Sequence, residues 1–151
     1  MGLDMYLEKR TDVRQWNFQK EEDQFEVVVK KGGVTYPKIN PKNVTTIVEE
    51  AGYWRKANAI HRWFVENVQG GVDNCGEYFV PPSSLKELLE LCLAVKLNPE
   101  QAESLLPFVS GFFFGSDTYD EWYFDKIDYT IEVLKEALSD DDASYYYSSS
   151  W

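Results

Sequence analysis

"YWRKANAIHRWF", residues 53–64, places two Trp, two Arg, a Lys, an Asn and the chain's only His within one short stretch. Read as a helix at about 100° per residue, Ile47, Trp54, Ala57, His61, Phe64, Val65 and Val68 share one broad face. The spacing therefore predicts a helix from about Val44 to Val68, stopped by Gly70-Gly71. Gly52 weakens such a helix by ~1 kcal/mol relative to Ala, splits it, or lets another backbone come close. Trp54, Asn58 and His61 fall on the face that carries Ala57 and Val65. Arg55 and Arg62, two turns apart, nearly eclipse one another beside it. Such a ridge has a chemistry. Guanidiniums hold phosphates in bidentate pairs. Trp and His stack on bases. Asn and His read base edges through paired donors and acceptors. The competing reading leaves Arg55 and Arg62 in solvent and His61 as a hydrogen-bonded core residue.

On the amino-terminal side, "GLDMYLEK" (2–9) alternates and reads as a strand with Leu3, Met5 and Leu7 on one face. Residues 11–24 are polar and irregular, a loop. "FEVVVKK" (25–31) reads as a strand ended by Gly32-Gly33, with "VTY" (34–36) as its short partner. On the carboxy-terminal side, "EYFV" (77–80) is a strand closed by Pro81-Pro82. Ser84 with Glu87 makes a capping box, and the helix after it buries Leu85, Leu88, Leu89, Cys92 and Val95. "PEQAESLL" (99–106) is a short helix with Pro at its first position. "GFFFG" (111–115) reads as a short buried strand. Glu121 to Leu138 is an amphipathic helix with Ile127, Ile131 and Leu134 inward. "SDDDA" (139–143) is an acidic turn that lacks the spacing of a calcium loop. "SYYYSSSW" (144–151) has strong β-propensity. Three Tyr and a Trp are costly to leave in water, so the segment is expected to be ordered, as a strand or as an arm docked on a neighbour. No internal repeat and no shift in composition divides the chain. The expected fold is a single α+β domain over residues 1–151, a small, mostly antiparallel sheet packed on about three helices.

Composition narrows the function. With 151 residues the chain can bury a sizeable core, and 44% hydrophobic residues exclude disorder. No run approaches the ~18 apolar residues of a membrane span, and "MGLDMYLEKR" is not a secretory leader. The chain reads as cytosolic, with Cys75 and Cys92 as free thiols. One His and two Cys are too few for a zinc site, so no metal and no cofactor is expected. The net charge of −11 disfavours a nucleic-acid polymer as partner. That charge is uneven. Residues 1–62 hold 11 of the 15 basic residues against 9 acids, whereas residues 63–151 hold 4 against 17. A phosphate site must draw its cations mainly from the first part, from Arg55, Lys56 and Arg62 above all.

Two further stretches add candidates. In "SGFFFGSDTYDEWY" (110–123), glycines flank three Phe, and Phe113, Ser116, Asp117 and Tyr119 are placed to meet a ligand. No phosphate-loop or nucleotide-kinase motif is present. In "DNCGEY" (73–78), Asn74 offers a base-edge contact, and a Cys75–His61 nucleophile pair is a weaker option.

Taken in order, "MGLDMYL" (1–7), "YWRK" (53–56), "HRW" (61–63), "NC" (74–75), "GFFFG" (111–115) and "YYYSSSW" (145–151) resemble a widespread family of small bacteriophage and prophage proteins. The resemblance spans nearly the whole chain. It implies an accessory protein of the infected bacterial cytoplasm that counters host defence. It points to the phage cyclic-nucleotide sponges, the anti-CBASS group, which are oligomeric and sequester cyclic immune signals such as cyclic GMP-AMP without cleaving them. The motif positions it carries over are Tyr53, Trp54, Arg55, Lys56, His61, Trp63, Asn74, Gly111 to Gly115, Tyr147 and Trp151.

The resulting expectation is a non-enzymatic binder of a cyclic di- or oligonucleotide, a homo-oligomer acting away from membranes. Arg55, Arg62 and Lys56 neutralise phosphates, Trp54, Trp63 and Tyr119 stack on bases, and Asn58, His61 and Asn74 read base edges. With Tyr53, Phe113 and Ser116 these complete the candidate binding set, and no residue is assigned to catalysis. Two rivals stand beside it. One is a nucleotide-processing enzyme using His61 with Asp117 or Asp120. The other is an acidic interaction module that mimics DNA.

Overall fold

A computed structural model describes residues 2–109 and 118–151 of the chain. It is α+β. Strands β1 (Asp4–Asp12), β4 (Thr46–Arg55), β5 (Tyr78–Val80) and β6 (Ser144–Ser150) form one antiparallel sheet in the order β4-β1-β6-β5. β2 (Lys30–Lys31) and β3 (Val34–Thr35) form a separate two-stranded ribbon. The helices among the described residues are α1 (Asn58–Asn67), α2 (Pro82–Leu97), α3 (Ala102–Leu105) and α4 (Glu121–Leu138).

The sheet obeys the period of two that strands impose on side chains. Leu3, Met5 and Leu7 of the first segment, Trp54 of β4, Val80 of β5, and Tyr145 and Tyr147 of β6 all point inward and are buried. Against them lie Ile60 and Phe64 of α1, Leu85, Leu88, Cys92 and Val95 of α2, and Ile127, Ile131 and Leu134 of α4. β6 sits between β1 and β5, so the segment "SYYYSSS" is an interior strand.

The decisive stretch folds differently from its helical reading. Residues 46–55 are a strand, and only Asn58–Asn67 is helical. The β-branched run Thr45-Thr46-Ile47-Val48 favours extended backbone. The long pairing of Asp4–Asp12 with Thr46–Arg55 then overrides the helical periodicity. A bulge between Leu7 and Glu8 brings Gly52 opposite Leu7. A Cβ at Gly52 would lie 2.8 Å from both the Trp54 ring and Val133 of α4, so the glycine is the close approach of helix to sheet.

Other boundaries shift for local reasons. The strand expected over 25–31 shrinks to Lys30–Lys31; Val28 is exposed and Val27 and Val29 are only half-buried, so burial adds little to extended pairing there. α2 starts at Pro82 with Pro81 as its N-cap, three residues before the expected N-cap Ser84. Proline suits a first turn whose N–H has no intrahelical acceptor.

The core predicts a pH dependence. Cys92 is fully buried, and burial pushes its thiol from 9.0 up to about 12. Burial likewise raises Tyr147 well above 10. Both folded-state values lie above the unfolded ones, so their contribution is complete below the unfolded values and is lost as pH rises. Stability should begin to fall above about pH 9, by about 1.4 kcal/mol per pH unit for each group in turn. Urea melts from pH 8 to 11 measure this, and Cys92→Ala should delay the onset to about pH 10.

Candidate nucleotide-binding cleft

The strand-to-helix corner at residues 55–58 builds a cleft. Arg55 ends β4, and Lys56 turns the chain with φ +55°, a left-handed conformation uncommon for a residue with a side chain. Its N–H donates to the Leu3 carbonyl at 2.8 Å, which anchors the corner to β1. Ala57 is the N-cap of α1 and brings no side-chain acceptor. The opposite wall is the amino-terminal half of α4, begun by Asp120, whose carboxylate accepts from the Tyr123 N–H at 3.1 Å. Together Arg55, Lys56, Asn58, Trp122 and Lys126 line a cavity of about 420 Å³, with Ile60 and Ile127 in its floor. That lies within the roughly 300–1,000 Å³ of small-molecule sites.

The electrostatics of the cleft suit an anion. Three cations, Arg55, Lys56 and Lys126, border it. The first turn of α1 opens into it, so the positive end of the helix dipole adds to their field. Arg55 Nε lies 4.0 Å from an Asp4 oxygen and its side chain is largely exposed. Trp122 is 72% exposed at the rim. Asp120 and Thr118 form the one acidic, hydrogen-bonding side, with the Thr118 hydroxyl donating to Asp120 at 3.0 Å.

Of the expected ligand residues, Arg55, Lys56 and Asn58 meet here. The other described ones do not. Arg62 lies on α1, not on the element that carries Arg55, and donates to Glu66 at 2.7 Å; the expected two-arginine ridge is absent. Trp54 is fully buried, its indole N–H donating to Thr130 Oγ1 at 2.8 Å. Trp63 is buried edge-on against Phe64. Neither indole has a free face for a base. Tyr53 donates its hydroxyl to Asp4, and this bond holds its own proton above the usual phenol range. Tyr119 packs on Phe108 and Tyr123. Asn74 accepts from the Gly76 N–H and the Tyr78 hydroxyl within its own turn. Phe113, Ser116, Asp117 and the "GFFFG" strand lie outside the described residues.

His61 is enclosed, 3% exposed, and both ring nitrogens are engaged. Asp73, as an acceptor, takes the Nε2–H at 3.0 Å. In the neutral ring that leaves Nδ1 to accept from the Tyr147 hydroxyl at 2.7 Å. Trp151 donates its indole N–H to the other Asp73 oxygen at 3.0 Å. The network ties α1 to β6 and to the turn at 73–76, and it places His61 beside Asp73 rather than Asp120. Cys75, exposed with φ +55°, follows in that turn.

Sequence reasoning missed Trp122 and Lys126. The signal was Trp122 itself: in α4 it falls about 140° from Ile127, outside the inward stripe. Among the described residues no helix is long and apolar enough to cross a membrane. No group of three or more His, Cys, Asp and Glu there is placed to hold a metal ion. Comparison of the chain with protein-family models, with curated proteins and with solved structures finds no match.

Proposed function

We propose that the chain binds a nucleotide in the cleft between the start of α1 and α4, and that its ligand is a cyclic di- or oligonucleotide held intact. The observation that carries this reading is the convergence of Arg55, Lys56 and Lys126 on the first turn of α1, beside the exposed Trp122. Phosphates sit against the cations and the helix terminus, and a base stacks on Trp122. The Asp120 carboxylate faces the base as an acceptor for its N–H donors. The resemblance to phage proteins supplies the setting, in which sequestration lowers a free signal by mass action and needs no transition state. The overall charge of −11 repels anions at long range, but screening over ~8 Å leaves the local cations dominant.

The test is calorimetric titration with cyclic dinucleotides, cyclic trinucleotides and linear mononucleotides, followed by heat denaturation and chromatography of the released ligand. Intact ligand is the expected product. Charge-assisted bonds contribute about 1.5–3 kcal/mol each, so Arg55→Ala and Lys126→Ala should each weaken binding about tenfold or more. Trp122→Ala removes about 1–3 kcal/mol of stacking. Lys56→Gly removes an ammonium while relieving the left-handed strain, so it should weaken binding with no loss of melting temperature. Recovery of hydrolysed ligand would convert the reading to an enzyme. Failure of every nucleotide to bind would favour the acidic interaction module.

A further inference from the structure

Residues 14–50 contain no buried side chain, although the backbone there is ordered by hydrogen bonds. Tyr36 N–H donates to Val29 O at 3.0 Å, Gln15 Nε2 to Phe25 O at 2.7 Å, and β2 pairs with β3. Phe18 is 84% exposed, Val34 69% and Val28 61%. An isolated two-stranded ribbon is marginal in water. Ordering so much chain is offset elsewhere by full burial, and among the described residues the arm's side chains are at most half-buried.

Its charge says what covers it. Residues 27–45 hold four lysines and no carboxylate, and against −11 for the whole chain the remainder carries −15. Lys30, Lys31, Lys38 and Lys42 take no part in the ion pairs among the described residues. The complementary surface lies between β4, α4 and the turn before β6. There Glu49, Glu50, Glu136, Asp140, Asp141 and Asp142 surround a depression of about 640 Å³, with Lys9 as its one cation. Lys9 is already paired with Asp140 at 2.7 Å. Next to Glu49 on the same strand, Ile47 and Val48 are exposed, an apolar counterpart for Val28 and Val34. We infer that the lysine-bearing part of this arm, residues 27–45, docks on a second copy of this chain, its lysines against the partner's acidic depression, and that the contact is reciprocal. A self-complementary pair of this kind closes as a two-fold dimer and leaves no arm unmatched.

Charge reversal tests it, read as mass in solution by light scattering. The wild-type chain should be dimeric, and rising salt should weaken the dimer. Lys30→Glu/Lys31→Glu should raise the dissociation constant about tenfold or more, and so should Glu136→Lys/Asp141→Lys. All four positions are exposed, so thermal melts should show both variants folded. Mixing the two variants should restore the dimer. In the mixed pair the introduced glutamates of one variant meet the introduced lysines of the other, whereas in each variant alone they meet native side chains of their own sign. A wild-type chain that is monomeric at every concentration overturns the inference. So does a dimer indifferent to Lys30→Glu/Lys31→Glu, or a mixture that fails to associate. Monomeric wild-type chain that binds anionic vesicles or DNA through these lysines would assign the arm to another partner. None of these outcomes involves the Arg55–Lys126 cleft.

Discussion

A chain lacking residues 144–151 is expected not to fold. β6 hydrogen-bonds to β1 on one side and to β5 on the other, so its loss opens two ladders at once. It also removes Tyr145 and Tyr147, which are 3% and 0% exposed. Truncating a buried aromatic to Ala costs about 3–5 kcal/mol. Two such losses, added to both ladders, match or exceed the roughly 5–15 kcal/mol that holds an ordinary domain together. Circular dichroism and proton NMR dispersion measure the outcome. A truncated chain with a cooperative melt near that of the full chain would show that the sheet closes without β6. Trp151→Ala provides the contrast. It removes the indole bond to Asp73 from a side chain that is 45% exposed, and should cost only about 1–2 kcal/mol.

The second large effect concerns Tyr147 alone. Its ring lies flat on Phe64, centroids 3.9 Å apart and 7° from parallel, and its hydroxyl meets His61 Nδ1. Tyr147→Ala should therefore cost about 3–5 kcal/mol, lowering the melting temperature by about 10 °C or more. Tyr147→Phe keeps the stack and removes only the hydroxyl, so it should cost about 1–2 kcal/mol. Near-equal melting temperatures for the two variants would mean that the hydrogen bond, not the ring, holds β6 to α1.

How legible the fold was depended on which signal was local. Leu3, Met5 and Leu7 alternate, and their strand follows directly. Ile127, Ile131 and Leu134 recur at helical spacing, and α4 spans Glu121–Leu138 as read. The aromatic richness of 145–147 marked an ordered segment, a strand or a docked arm, and the pairing with β1 and β5 makes it a strand. Residues 46–55 failed because their inward positions, Gly52 and Trp54, are few and also compatible with a helix. What selects the strand is pairing with β1 some forty residues upstream, a contact that periodicity cannot register. The candidate site suffered for the same reason. Arg55, Lys56 and Asn58 were identified, but their neighbours Trp122 and Lys126 come from a helix more than sixty residues away. Trp54, His61 and Trp63 were chosen for their chemistry, and burial spends that chemistry on the core.

The strand order also sets a timetable for synthesis. β1 and β4 leave the ribosome early and can pair as soon as Arg55 is clear. The other side of β1 must wait for β6, which begins at residue 144. Over that interval β1 presents a row of unpaired N–H and C=O groups beside Met5 and Leu7, an edge able to recruit a strand from another nascent chain. Because the pairing that removes it spans almost the full sequence, closure is slow relative to a local hairpin. Expression at low temperature or with a strand-holding chaperone should therefore raise soluble yield more than any change to the surface of the finished domain.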